Sequence, residues 1–197
     1  MRSISILGCG WLGKPFAIEL ARSGYTVAGS SSQEATLQEI ASGGVKPFML
    51  KFDPHPIGVD YADFFQSDIL IITIPPKRKA GLTTAYLEQL QHVVQEAQRG
   101  AVSYMVFISS TAVYPDLNRI VYEEDAAADS YLTEAENIVT AASGMQTTVI
   151  RFGGLIGPGR HPGRFLAGKQ DVAGRTSPVN MIHQQDCIGI IHAIVKQ

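Results

Sequence analysis

The chain has 197 residues, 45% of them apolar and 17% charged, with a formal net charge of −2. That composition is enough for one sizeable core and one domain over 1–197, and its slightly acidic balance argues against general affinity for nucleic acid or an anionic membrane. The short basic cluster Lys77-Arg78-Lys79 does not change that balance, and the longest apolar run, 69–74, interrupted by Thr73, is far too short to span a bilayer.

No charged and then apolar leader pattern opens the chain, so the expected location is cytoplasmic. Cys9 and Cys187 form no CxxC spacing and read as ordinary thiols of a reducing compartment. His55, His92, His161, His183 and His192 show no ligand spacing with cysteine or carboxylate, so no metal site is expected.

A β-branched strand over 3–7 runs directly into Gly8-Cys9-Gly10-Trp11-Leu12-Gly13, and a helix over 11–22 follows with Leu12, Phe16, Ile18 and Leu20 as its apolar positions. Each glycine has a separate task in a dinucleotide cradle. Gly8 makes the tight turn, Gly10 has no Cβ to keep a pyrophosphate away, and Gly13 lets the helix pack close to the sheet. The phosphate then sits on unpaired N–H groups at the positive end of the helix.

Ser23-Gly24 stops that helix, and a strand over 26–29 leads to a helix over 33–41, capped by Ser31 or Ser32 and ended by Gly43-Gly44. Strands follow over 46–51 and 68–74, with a short helix near 61–65 between them. The remaining elements are a helix over 82–98, a strand over 104–108, a helix over 131–142, a strand over 147–152 and a last helix over 185–195. Strands alternating with helices require crossover connections, which predicts an α/β fold: a doubly wound parallel sheet of the Rossmann type with strand order 3-2-1-4-5-6. The ligand lies across the carboxyl ends of the first and fourth strands, where that order reverses. This placement makes Gly8, Gly10, Trp11, Leu12, Gly13, Ser30, Ser31, Ser32, Pro75, Pro76 and Ser109 the candidate cofactor-binding residues, with Trp11 packed beside the cofactor or on the first helix.

Four segments in order, GCGWLG at 8–13, ISSTAVYP at 108–115, RFGGLIGPGR at 151–160 and PVNMIHQQD at 178–186, resemble the extended branch of the short-chain dehydrogenase/reductase superfamily. More narrowly, Ile-Pro-Pro after the fourth strand and the GPGRHPGRF loop resemble its atypical NAD-dependent epimerase/dehydratase-like members. The resemblance places the serine or threonine role of the family on Ser110, three positions before Val113-Tyr114. It also implies a tyrosine four residues before a lysine on the helix after the fifth strand, where the ammonium lowers the phenol's pKa for proton transfer.

That pair is absent. Tyr131 is followed four positions later by Ala135, the alternative register places Ala128 and Leu132 there, and no lysine occurs between Lys79 and Lys169. Tyr114, Tyr122 and Tyr131 are substitute acids only if a cation reaches them. Members of the family usually continue into a further strand and a small substrate lobe, so the C-terminal substrate lobe is expected to be missing or reduced here, leaving apolar surface for a homo-oligomer.

Arg160 and Arg164 are candidates for an anionic substrate, and Arg151, on the sixth strand, is expected to pair with a carboxylate or a loop carbonyl. Asn180, His183 and Asp186 are expected to be structural, with His183 pairing with backbone and Asp186 capping the last helix. The acid that reads a ribose about 20 residues beyond the first glycine is missing. Positions 28–33 read Ala-Gly-Ser-Ser-Ser-Gln, whose serines could hold a 2′-phosphate, which favours NADP. The arginine that usually follows such serines in related sequences is also missing, which keeps NAD as the alternative. Two readings follow: an NAD(P)-dependent oxidoreductase or epimerase-like enzyme acting on a small carbonyl or hydroxyl compound, or a non-catalytic dinucleotide-binding sensor or scaffold.

Overall fold

Six strands run parallel in one sheet of order β3-β2-β1-β6-β7-β8, in a computed structural model that describes residues 2–52, 55–57, 61–76, 83–170 and 179–197. The elements of the first half are β1 (Ser3–Leu7), α1 (Gly13–Arg22), β2 (Thr26–Ser31), α2 (Glu34–Ser42) and β3 (Lys46–Met49). A two-residue antiparallel pair, β4 (Lys51–Phe52) and β5 (Pro56–Ile57), then leads to α3 (Tyr61–Phe64) and β6 (Ile69–Ile72). After them come α4 (Thr83–Arg99), β7 (Tyr104–Ser110), α5 (Tyr131–Thr140) and β8 (Gln146–Phe152). The last described elements are β9 (Gly154–Ile156), α6 (Pro162–Leu166), β10 (Met181–His183) and α7 (Gln184–Val195). Counting only the strands of the large sheet, the order is the expected 3-2-1-4-5-6, so β1 and β6 flank the point where the winding reverses.

Strand alternation divides the apolar residues between two layers. On β1, Ile4 and Ile6 face Phe16, Leu20, Ile40 and Ile191 of α1, α2 and α7, while Leu7 faces the layer built with Phe64, Leu90 and Val139 of α3, α4 and α5. Ser5, buried on that second face, is satisfied because its hydroxyl donates to the Phe64 carbonyl at 2.6 Å.

Several boundaries differ from the sequence expectations for local reasons. The first helix begins at Gly13 and not at residue 11, because 9–12 form the turn itself. The strand expected over 46–51 leaves the sheet at Met49: β2 ends at Ser31, and Leu50 makes the last contact by donating to the Ser31 carbonyl. The strand expected over 68–74 is four residues long, since β1 turns away at Gly8 after Thr73 N–H has reached the Leu7 carbonyl.

Neither Ser31 nor Ser32 caps α2. Gln33 holds the N-cap position, and the Ser31 hydroxyl accepts from its N–H at 3.1 Å. His183 caps α7 by accepting from Gln185 N–H through Nδ1, whereas Asp186 lies in the first turn, where its charge suits the helix dipole. The parallel pair of β9 and β10 has no counterpart in the expected elements. Lys77-Arg78-Lys79 lies outside the described residues, among which no helix is long and apolar enough to cross a membrane.

One buried ion pair fastens α5 to the sheet. Glu136 points from the otherwise apolar inner face of α5 and receives Arg151 of β8 through Nε at 3.0 Å and Nη2 at 2.7 Å. The remaining Arg151 donor, Nη1, reaches the Tyr114 hydroxyl at 2.9 Å and the Glu123 carbonyl at 2.8 Å. The hydrogen bonds with Glu136 are the first cause that holds the guanidinium above its ordinary pKa. Both kinds of partner expected for Arg151 are therefore present. Glu136→Gln removes the charge that compensates this guanidinium and should cost about 3 kcal/mol, read as a lower urea midpoint with unchanged slope. An unchanged midpoint would show that Arg151 is satisfied by Tyr114 and Glu123 alone.

Candidate functional site

Three segments meet at Gly8. Its φ of +101° lies in the left-handed region, its N–H donates to Ser30 Oγ at 3.1 Å, and its carbonyl accepts from Thr73 Oγ1 at 2.6 Å. The Cys9 N–H adds a bond to the Ser30 carbonyl at 2.7 Å, so the ends of β2 and β6 both hold the turn. Gly13 closes it from the helix side: a Cβ there would lie 2.4 Å from the Gly8 carbonyl oxygen and 2.8 Å from Thr73 Oγ1.

Gly10 differs, since a Cβ built on it meets nothing within 4 Å. Gly10 thus opens onto free space at the N-terminal end of α1, whose first turn carries no acid. These residues fit a dinucleotide phosphate, which needs close backbone approach, free N–H groups and no opposing charge. Leu12 sends its side chain into the core, so only its backbone is available to a ligand. The Cys9 thiol is likewise internal, and burial pushes it up to about 12, which leaves it a neutral packing group.

The serines expected at strand ends divide by parity and burial. Ser30 is 1% exposed and its hydroxyl accepts from Gly8 N–H, so it positions the turn. Ser31 is half-buried and Ser32 exposed at the end of β2. After β6, Pro75 is exposed and Pro76 half-buried.

At the end of β7, Ser109 turns inward and its hydroxyl donates to Glu136 at 2.5 Å, which makes it a partner of the Glu136–Arg151 pair. Ser110 points the other way. Its hydroxyl oxygen accepts from Ala112 N–H at 3.2 Å, which leaves the hydroxyl proton free to donate.

Tyr131 opens α5 beside Tyr86, whose phenol is raised above its ordinary pKa, first by burial and then by the neighbouring Tyr131. The residue one turn on, Ala135, is fully buried and supplies no cation. The cation that the sequence reading found missing stands elsewhere, on Tyr114, where the Arg151 guanidinium also lies over the ring at 5.1 Å from its centroid.

Trp11 is half-buried and packs against the core layer that includes Phe16 and Leu20 of α1. Its indole N–H donates to the Pro158 carbonyl at 2.7 Å, its own carbonyl accepts from the Gln184 side chain at 2.6 Å, and the Arg160 guanidinium covers its ring. Arg164 is exposed on α6. Asn180 seats against Gly153, where a Cβ would lie 2.6 Å from its Oδ1, and its amide reaches Thr111 Oγ1 at 3.3 Å.

Thr73 and Glu136 are the structurally decisive residues that sequence reasoning missed. The available signal was a polar residue inside each of two apolar patterns, Ile-Leu-Ile-Ile-Thr-Ile and the inner face of α5. Among the described residues, no histidine, cysteine and carboxylate cluster could hold a metal ion. A broad groove lined by Arg2, Asp68, Tyr104 and Gln146 lies at the amino ends of the strands, opposite the glycine turn.

Residues 3–98 match a family model described as NADP oxidoreductase coenzyme F420-dependent. The Escherichia coli (strain K12) protein YeeZ is 32% identical over 203 residues, which cover all of this chain and 74% of that protein. Among solved structures, a putative NAD-dependent epimerase/dehydratase from Methylobacillus flagellatus superposes with a TM-score of 0.70 at 23% identity, over 100% of this chain and 70% of its own. The Bordetella bronchiseptica enzyme WbmH in complex with NAD+ gives 0.69 at 16% identity, over 100% and 72%. With the glycine turn, the strand order and the whole-chain match to YeeZ in agreement, the chain has a Rossmann-type α/β fold and belongs to the YeeZ family.

Proposed function

We propose that this chain binds a dinucleotide at the Gly8–Gly13 turn and acts as an NAD(P)-dependent oxidoreductase or epimerase/dehydratase-like enzyme on a small carbonyl or hydroxyl compound. The observation that carries the binding site is Gly10, which faces open space at the acid-free N-terminus of α1. The backbone N–H groups at the start of α1 would hold the diphosphate, and Ser31 and Ser32 border the adenosine ribose. NADP is favoured over NAD, because no carboxylate stands at the end of β2 to repel a 2′-phosphate. The nicotinamide supplies the hydride chemistry when bound.

Ser110 is the residue on which this reading places the substrate oxygen. The β7 end brings Ser110 to the carboxyl edge of the sheet, and its free hydroxyl proton can polarise a carbonyl. Among the described residues no ammonium stands beside Tyr131, so this reading gives it no part in proton transfer. The absence of the tyrosine and lysine pair also supports a second reading, a dinucleotide-binding sensor or scaffold without turnover. Exposed Ile120, Val179 and Met181 support assembly of like chains in either case.

Gly10→Val fills the open space with a branched side chain and should weaken NADP and NAD at least tenfold, about 1.4 kcal/mol, in a calorimetric titration. Equal affinity in variant and wild type would remove the glycine turn as the site. In a screen of small carbonyl compounds with NADPH, Ser110→Ala should lower kcat by about 10²-fold while the cofactor Kd stays within a fewfold. Tyr131→Phe should stay within a fewfold of wild type in the same assay. A loss of about 10³ in Tyr131→Phe, at preserved fold and cofactor binding, would return proton transfer to that tyrosine. Tight cofactor binding with no turnover on any compound would favour the sensor reading.

A further inference from the structure

The turn Gly157-Pro158-Gly159-Arg160 is built to hold its arginine in one place. Gly157 and Gly159 adopt φ of +146° and +75°, and Gly157 and Arg160 exchange backbone bonds, at 3.3 Å from Gly157 N–H and 2.9 Å from Arg160 N–H. The turn is tied to the start of α1 by the bond from Trp11 Nε1 to the Pro158 carbonyl, and the Trp11 carbonyl is itself fixed by Gln184. The Arg160 guanidinium carbon then lies 4.4 Å from the centroid of the Trp11 ring.

Several cations spend their charge locally: Lys14 on Glu39, Arg99 on Glu96, Arg119 on Asp125 and Arg151 on Glu136. Among the described residues no carboxylate pairs with Arg160, which is exposed and anchored only by the indole face and its own backbone. Stacking of this kind leaves the edge donors of a guanidinium free to receive two oxygens at once.

Trp11 directly follows Gly10, the residue that opens onto free space, and its side chain carries the bond to Pro158 and the guanidinium of Arg160. We infer that Arg160 is the counter-ion of the dinucleotide's diphosphate, with Trp11 as the platform that fixes it there. The inference rests on the binding site proposed above and adds a full positive charge to a cradle otherwise built of backbone dipoles. It also makes the C-terminal segment part of the cofactor site, since the arginine arrives on the loop between β9 and α6.

Adenosine, ADP and NAD+ separate the phosphate contact from the rest. In calorimetric titrations of the full chain, Arg160→Ala should weaken ADP and NAD+ about tenfold each and leave adenosine unchanged. Arg160→Lys, which keeps the charge but loses the planar fork, should fall between wild type and alanine. The difference in ADP affinity between wild type and Arg160→Ala should shrink as salt is raised. Because Arg160 is exposed, the variant should keep the circular dichroism spectrum and melting temperature of wild type. Equal ADP affinity in wild type and Arg160→Ala, or an equal loss for adenosine, would overturn the inference while leaving the glycine site intact. Wild type that binds neither ADP nor NAD+ would overturn both.

Discussion

The carboxyl edge of the sheet is organised around the backbone of one residue, Gly8. Its N–H is held by Ser30 at the end of β2 and its carbonyl by Thr73 at the end of β6, so the turn is clamped by both strands that neighbour β1. Polar groups placed there are obliged to pair, because an unsatisfied amide or carbonyl at a half-buried turn costs more than a satisfied one contributes. With Gly8 and Gly13 fixed, Gly10 is presented outward, and α1 starts in the one direction that aims its N-terminus at the open space.

Parity along β7 assigns opposite work to two adjacent serines. Ser109 faces α5 and joins the buried Glu136–Arg151 pair, while Ser110 faces the opposite side and keeps a free proton. The ion pair therefore does more than fasten α5: it uses the acid, the cation and one hydroxyl of that corner among themselves. Tyr114 is drawn into the same network through Arg151 Nη1, and Tyr131 stands beside Tyr86.

A second closure joins the two ends of the sequence. The bond between the Gln184 side chain and the Trp11 carbonyl spans 173 positions, and the Trp11 indole donates to the Pro158 carbonyl and lies under Arg160. The small β9–β10 pair makes this possible by bringing the start of α7 to the glycine turn, with Gly153 allowing Asn180 to come close. A cradle formed by the first thirteen residues is thereby flanked by a loop from the last third of the chain.

The sequence by itself determined the glycine turn, the alternation of strands and helices, and through right-handed crossovers the strand order, because each of these depends on residues adjacent along the chain or on a periodicity of two or 3.6. It also determined that the helix after the fifth strand lacks a tyrosine and lysine pair, which is a matter of composition at two positions. Only the tertiary structure decided that Ser30 supports Gly8, that Thr73 completes the clamp, that Glu136 answers Arg151, and that Trp11 joins the loop of Pro158 and Arg160. Each of those contacts joins residues fifteen or more positions apart. Their partners are chosen by which strand ends and loops the sheet brings together, and no local pattern carries that information.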